Sequence, residues 1–242
     1  MPRQLHEKST VDEIRRRFDA DVDRFSKLET GQQAAMDAPV ILDVVARSAA
    51  YHVRPHGRLL DLGCGAGNFT LRVLGRASPL DCVLVDLSRP MLDRAEQRVK
   101  AATSGRVQSV QSDMRLLSFE PASFDLILAG QVLHHLREEA QWEAMFARLH
   151  EWLSPAGTLF VADFVAYDDP EIQALMLARY AEYLTSLGGA EYRDKVLANC
   201  EAEDSPRSVK YQFDLLRKVG FNEFDVLHKN ALFAAFYARK SG

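Results

Sequence analysis

The sequence predicts an α/β protein built on a doubly wound, seven-stranded, mostly parallel sheet, and three observations carry this. From Arg58 onward, short apolar strands alternate with helical stretches, the pattern of a parallel sheet covered by helices on both faces. The first strand runs straight into the glycine-rich turn Gly63-Cys-Gly-Ala-Gly67, which opens a helix. The chain closes on two short strands with polar residues between them, an antiparallel hairpin that completes the sheet.

Before the sheet, Val11, Ile14, Phe18, Val22 and Phe25 recur at helical spacing, with Thr10 as N-cap, and predict a helix over 10–27. A second helix spans about 39–51, where Val40, Ile41, Val44 and Val45 form one stripe, and Arg54-Pro-His-Gly57 ends it. Strands follow at 58–62, 82–85, 107–111, 124–128 and 158–164. Helices are expected from the glycine turn to about Arg76, over 89–103 with Pro90 in the first turn, and over 139–152. Ser154-Pro-Ala-Gly157 reads as a turn. Residues 168–204 interrupt the rhythm with helical spacing (Ile172, Leu175, Met176, Tyr180, Tyr183, Leu184) and a break at Gly188-Gly189. A helix over 208–219 with Gly220 as C-cap precedes strands at 221–227 and 232–238, joined by His228-Lys-Asn230.

The 242 residues suit one α/β domain with an insertion, organised as an N-terminal helical lid (1–52) and a main domain (53–242) carrying the insertion 168–204. A net charge of −4 gives no global positive field to gather nucleic acid or an anionic membrane. The three cysteines, Cys64, Cys82 and Cys200, form neither a disulfide framework nor a paired metal-ligand spacing. Residues 1–21 lack the apolar core of a secretory signal, and no apolar run approaches the roughly 20 residues of a membrane span. The expectation is a soluble, cytoplasmic protein.

The chemistry concentrates around the first turn. Gly63, Gly65 and Gly67 let the backbone turn tightly and let a ligand approach its amides. Asp86 ends the next strand, about twenty residues on, where an acid can accept hydrogen bonds from two ribose hydroxyls. Dinucleotide sites use G-x-G-x-x-G, which cradles a pyrophosphate; this turn reads G-x-G-x-G and follows Asp61. An acid there repels a pyrophosphate and suits an ammonium or sulfonium group, which argues against a nicotinamide-dependent oxidoreductase.

With these residues the chain, from about Arg58 onward, resembles the class I S-adenosylmethionine-dependent methyltransferases, whose Rossmann-like fold matches the predicted sheet. Asp61-Leu-Gly-Cys-Gly-Ala-Gly67 resembles the family's first motif, which wraps the methionine half of S-adenosyl-L-methionine. By this resemblance Asp61, Gly63, Cys64, Gly65 and Gly67 surround that half, Asp86 takes the ribose, and Leu87 beside it also binds the cofactor. Asp113 and Met114, after the third strand, take the adenine, through the carboxylate and through a backbone amide and apolar face. Phe124-Asp-Leu-Ile-Leu-Ala-Gly-Gln-Val-Leu-His-His-Leu136 resembles the fourth motif, with Gln131 near the methionine portion.

His134 and His135, as neighbours in extended chain, point to opposite sides, and His135 is the candidate base, because histidine titrates near neutral pH. No third ligand stands at metal-site spacing beside them, so no metal is expected. Phe25, Thr30 and Gln32 of the lid, and Tyr180, Tyr183 and Tyr192 of the insertion, are candidates for contacts with cofactor or acceptor. The order of glycine motif, helical insertion, Asp204-Ser205 and terminal Val-Gly-Phe hairpin is similar to the carboxy-S-adenosylmethionine synthases of tRNA modification. Those enzymes carry an arginine in the helix before the last hairpin, where this chain has Leu216, with Arg207 and Arg217 out of register. The expected activity is methyl transfer to a small-molecule acceptor; a non-catalytic cofactor-binding protein is the rival. The insertion either caps the cleft or forms a homodimer interface.

Overall fold

The computed structural model describes residues 4–27 and 31–242. The sheet has seven strands: β1 (Arg58–Leu62), β2 (Asp81–Asp86), β3 (Val107–Gln111), β4 (Phe124–Gly130), β5 (Leu153–Phe164), β6 (Glu223–Asn230) and β7 (Phe233–Arg239). Their order is β3-β2-β1-β4-β5-β7-β6. β1 pairs in parallel with both β2 and β4, so the order reverses direction there, and a crevice opens beyond the carboxyl ends of these strands. β7 runs antiparallel to β5 and to β6, the expected closing hairpin.

Strand alternation sends successive side chains to opposite faces, and both faces are apolar. Leu59, Leu84, Leu126, Leu128 and Phe160 belong to one core cluster, on the side of α3 (Ala38–His52), α4 (Asn68–Leu74) and α5 (Arg89–Ala102). Leu60, Val83, Val85, Ile127 and Val161 belong to the other, with Trp142, Phe146 and Leu149 of α6 (Glu139–Trp152) and Leu215 and Leu216 of α8 (Val209–Val219). Each of these large side chains gains about 1.5–3 kcal/mol on full burial. Ser208 caps α8 by accepting from the Tyr211 amide, and Gly220 ends it at φ 106°, a left-handed turn that glycine adopts without strain.

Three boundaries differ from expectation. The predicted 10–27 helix is two, α1 (Val11–Asp19) and α2 (Val22–Phe25), with Thr10 accepting from the Glu13 amide at the start of α1. Ser154–Gly157 is not a free turn but a bulged part of β5, between the pairs Phe124–Leu153 and Leu126–Thr158. His228-Lys-Asn230 is not the hairpin turn: β6 continues through it, because His228 Nε2 and Asn230 Nδ2 both meet Asp37 Oδ2, at 3.0 and 2.8 Å. The turn falls at Ala231, which takes a positive φ of 46°. The insertion is α7 (Pro170–Glu203), broken at Gly188 and Gly189 as predicted, with helical arms over 170–187 and 190–203. Of the 1–52 segment, α3 packs into the core through Ile41, Leu42, Val45 and Ala49, so α1 and α2, and not α3, lie at the crevice. Among the described residues no helix is long and apolar enough to cross a membrane.

Candidate functional site

The turn after β1 carries Gly63, Gly65 and Gly67 all at positive φ (68°, 50° and 83°). Their surroundings differ. A Cβ on Gly63 would meet Val132 at 2.4 Å, whereas a Cβ on Gly65 would meet nothing within 4 Å. Gly65 therefore faces open space, a cradle that a side chain would fill. Gly67 faces α5, where a Cβ would stand 3.3 Å from that of Ala95. Its service is close helix packing, and it does not line the crevice.

Asp86 closes β2 with Oδ2 accepting from the Gly65 amide and Oδ1 from the Ser88 amide, both at 2.8 Å. Burial raises its pKa, partly offset by these amides. A carboxylate accepts about four hydrogen bonds, so each oxygen keeps capacity for a further donor. Asp61 sits beneath the turn. Strand alternation turns it toward α4, where it is buried, accepts from Thr70 Oγ1 at 2.6 Å, and is driven by burial to a pKa of about 7. It does not line the crevice, so its charge faces a hydroxyl and not a ligand.

Three adjoining cavities, which share lining residues, run along the strand ends. The first is walled by Val85, Leu87, Met114 and Val132, with Asp86 and Asp113 at its polar edge. Asp113 is not the solvated acid that its loop position suggests. Arg115 reaches both of its oxygens (Nε at 2.9 and 3.0 Å, Nη2 at 2.5 Å). Burial raises the Asp113 pKa, but Arg115 outweighs it and holds the carboxyl below the usual range. The second cavity is lined by Gly63, Cys64, Gly65, Asp86, Leu87 and Gln131, with Phe18, Phe25 and Gln32 across from them. Gln131 holds a left-handed φ of 55° while its amide donates to Ala162 O at 2.7 Å, a strained residue at the mouth of β4.

The third cavity, about 330 Å³, lies between α1, α2 and α7. Phe18, Phe25, Phe164, Tyr180, Tyr192 and Phe233 give it aromatic walls, and Gln131, His134, His135 and Asp204 its floor. Of the insertion tyrosines, Tyr183 stays outside and donates to Gln33 O at 2.8 Å. Thr30 lies outside the described residues. Arg17 of α1 forks onto Glu203 of α7 (Nε–Oε1 2.6 Å, Nη2–Oε2 2.5 Å), and the Ser9 amide donates to Ala202 O at 2.8 Å, so the two elements meet over the cavity.

The histidines depart most from the sequence reading. They occupy a 3-10 turn, Leu133–His135, instead of extended chain, so their rings do not diverge; the centroids are 4.3 Å apart. His134 Nδ1 lies 2.5 Å from Asp163 Oδ1, and its Nε2 lies 3.7 Å from Asp204 Oδ1. Burial lowers the His134 pKa, but Asp163 and Asp204 overcome this and raise it to about 9. His135 lines all three cavities, and its Nδ1 lies 3.3 Å from Asp204 Oδ1, poorly aligned for a hydrogen bond. Asp204, at the far end of α7, thus supplies the third potential ligand beside the two histidines that the spacing along the chain did not show. Asp163 was missed in the sequence, although an acid ending a core strand on the ligand-binding side was the available signal.

An acid closing β2 above an open glycine cradle, at the point where the strand order reverses, fits the ribose and methionine ends of S-adenosylmethionine. The fold is the one shared by class I S-adenosylmethionine-dependent methyltransferases, and a domain of that kind matches part of the chain. Residues 59–157 match the family described as a methyltransferase domain. The carboxy-S-adenosyl-L-methionine synthase of Shewanella sp. (strain ANA-3) is 26% identical over 204 residues, covering 83% of each chain. The synthase of Vibrio parahaemolyticus is 26% identical over 207 residues, 83% of this chain and 82% of that one. Among solved structures, an O-methyltransferase family protein from Burkholderia thailandensis superposes with a TM-score of 0.65 at 19% identity over 93% of this chain, which spans 60% of that protein's length. A SAM-dependent methyltransferase from Methanosarcina mazei superposes with a TM-score of 0.58 at 15% identity, over 80% of this chain and 97% of its own.

Proposed function

We propose that this protein transfers the methyl group of S-adenosylmethionine to a small-molecule acceptor held in the third cavity. The observation that carries the reading is the succession of the cavities, with His135 the one titratable side chain common to all three among the described residues. Adenine fits the apolar first cavity against Leu87 and Met114, and the ribose hydroxyls fit Asp86. The methionine end fits the second, beside Gly63, Cys64, Gly65 and Gln131, which brings the reacting methyl group to the aromatic third. The cofactor supplies the electrophile, so the chain's own task is to hold the acceptor in line, exclude water and remove its proton. His135 serves that last step. Incubation with methyl-labelled S-adenosylmethionine and fractionated cell extract tests the reading: label should enter the low-molecular-mass fraction. Label confined to RNA or protein fractions, or no transfer at all, would refute it.

The relatives' printed name offers a second reading, synthesis of a carboxylated cofactor. Leu216, where those enzymes carry an arginine, is fully buried in the core beneath α8 and presents no cation to any cavity. Mass analysis of the nucleoside that copurifies with the protein separates the two, and the reading favoured here expects no carboxylated form.

Two further expectations follow. Asp86→Ala should weaken S-adenosylhomocysteine binding at least tenfold, since two hydrogen bonds to a carboxylate contribute about 1.5–3 kcal/mol each. Unchanged affinity by calorimetry would remove Asp86 from the site. The insertion should act as a cap, because Tyr192, Asn199 and Cys200 of α7 roof the third cavity. S-adenosylhomocysteine should then slow hydrogen exchange over 168–204. Protection that follows protein concentration and ignores ligand would instead make the insertion a homodimer interface.

A further inference from the structure

We propose that His134, His135 and Asp204 form a binding site for a divalent first-row transition-metal ion at the floor of the acceptor cavity. One ligand atom from each of the three lies within 4.8 Å of the other two. Asp204 Oδ1 stands 3.7 Å from His134 Nε2 and 3.3 Å from His135 Nδ1. An ion with bonds of ~2.1 Å to tetrahedral ligands sets neighbouring donors ~3.4 Å apart, so small side-chain rotations bring these atoms onto one centre.

Two independent features point inward to a ligand. His135 Nδ1 is buried and has no hydrogen-bond partner, a deficit that folded proteins seldom leave unmet. His134 has its opposite nitrogen already engaged, with Nδ1 2.5 Å from Asp163 Oδ1. That carboxylate is itself fixed by the amides of His134 and Phe164, each at 3.0 Å. A carboxylate behind an imidazole fixes its tautomer and aims the other nitrogen, the outer-shell arrangement of metal-bound histidines.

Two imidazoles and one carboxylate suit zinc, iron, cobalt or nickel better than magnesium or calcium, which prefer all-oxygen sets. Three protein donors leave coordination positions open, and they open onto the aromatic cavity. What the ion would do rests on the methyltransferase reading: it would hold an acceptor hydroxyl and lower its pKa so that the proton leaves to solvent, and His135, as a ligand of the ion, would then act in place of the base proposed above.

The test uses the full chain without a histidine tag, stripped with chelator and free of cofactor. Zn²⁺ is titrated by calorimetry and Co²⁺ by visible absorption. One equivalent of each should bind, and Mg²⁺ should not compete. Asp204→Asn should weaken Zn²⁺ at least as much as loss of an outer-shell partner does, ~10–100-fold. His135→Ala should lose the Co²⁺ absorption band. S-adenosylhomocysteine affinity and melting temperature of metal-free Asp204→Asn report on its folding, since Asp204 lines neither of the first two cavities. No stoichiometric binding to the parent protein, or equal affinity in both variants, would leave these side chains a buried polar network and overturn the proposal. S-adenosylhomocysteine binding to the stripped protein tests the methyltransferase reading separately, so the two can fail independently.

Discussion

Gly65→Val should abolish binding of S-adenosylhomocysteine while leaving the protein folded. Gly65 takes φ 50°, and its absent Cβ would project into open space with no heavy atom within 4 Å. An isopropyl group there occupies the second cavity, which holds only about 90 Å³. The left-handed conformation costs an L-residue about 1–2 kcal/mol. In a chain of this size that lowers the melting temperature by roughly 2–8 °C, far short of unfolding. Gly63→Ala makes the contrast, because its Cβ would stand 2.4 Å from Val132 and must displace packed structure. The first variant should be folded and silent in calorimetry, the second destabilised. Normal binding by Gly65→Val would mean that the cofactor does not sit against this turn.

His135→Ala should reduce the rate of methyl transfer by ~10²–10⁴-fold, the usual contribution of a positioned acid–base group. The imidazole lines all three cavities, and Phe18 stacks edge-on against it with ring centroids 6.0 Å apart. Its removal takes only one poorly aligned 3.3 Å contact from Asp204, which keeps His134 as a neighbour. The melting temperature should therefore change little, and the loss should appear in kcat more than in KM for S-adenosylmethionine. Single-turnover rates at saturating acceptor measure this directly. A variant within threefold of the parent rate would make His135 only a wall of the cavity.

How far each part was legible in the sequence follows from the range of the interactions involved. Strand alternation, the helix caps at Thr10, Ser208 and Gly220, and the glycine turn are local: each depends on residues a few positions apart, and the sheet could be read from them. Nine of the eleven residues singled out for cofactor or catalysis line the adjoining cavities: Gly63, Cys64, Gly65, Asp86, Leu87, Asp113, Met114, Gln131 and His135. They do so because the ends of parallel strands converge on one edge wherever the strand order reverses.

Asp61 and Gly67 stand apart, since which face of a strand or turn meets a cavity depends on what packs behind it. The continuation of β6 through His228-Lys-Asn230 likewise needed Asp37, far away in the chain, to satisfy those side chains. The fork of Arg115 on Asp113 is short in sequence, yet only the buried loop geometry makes it bidentate. By itself the sequence determined the sheet, the cofactor edge and the class of chemistry, because those rest on periodicity and on short motifs. Only the tertiary structure decided what surrounds the two histidines. Asp163 comes from the end of β5 and Asp204 from the end of α7, and no spacing along the chain encodes their meeting at His134.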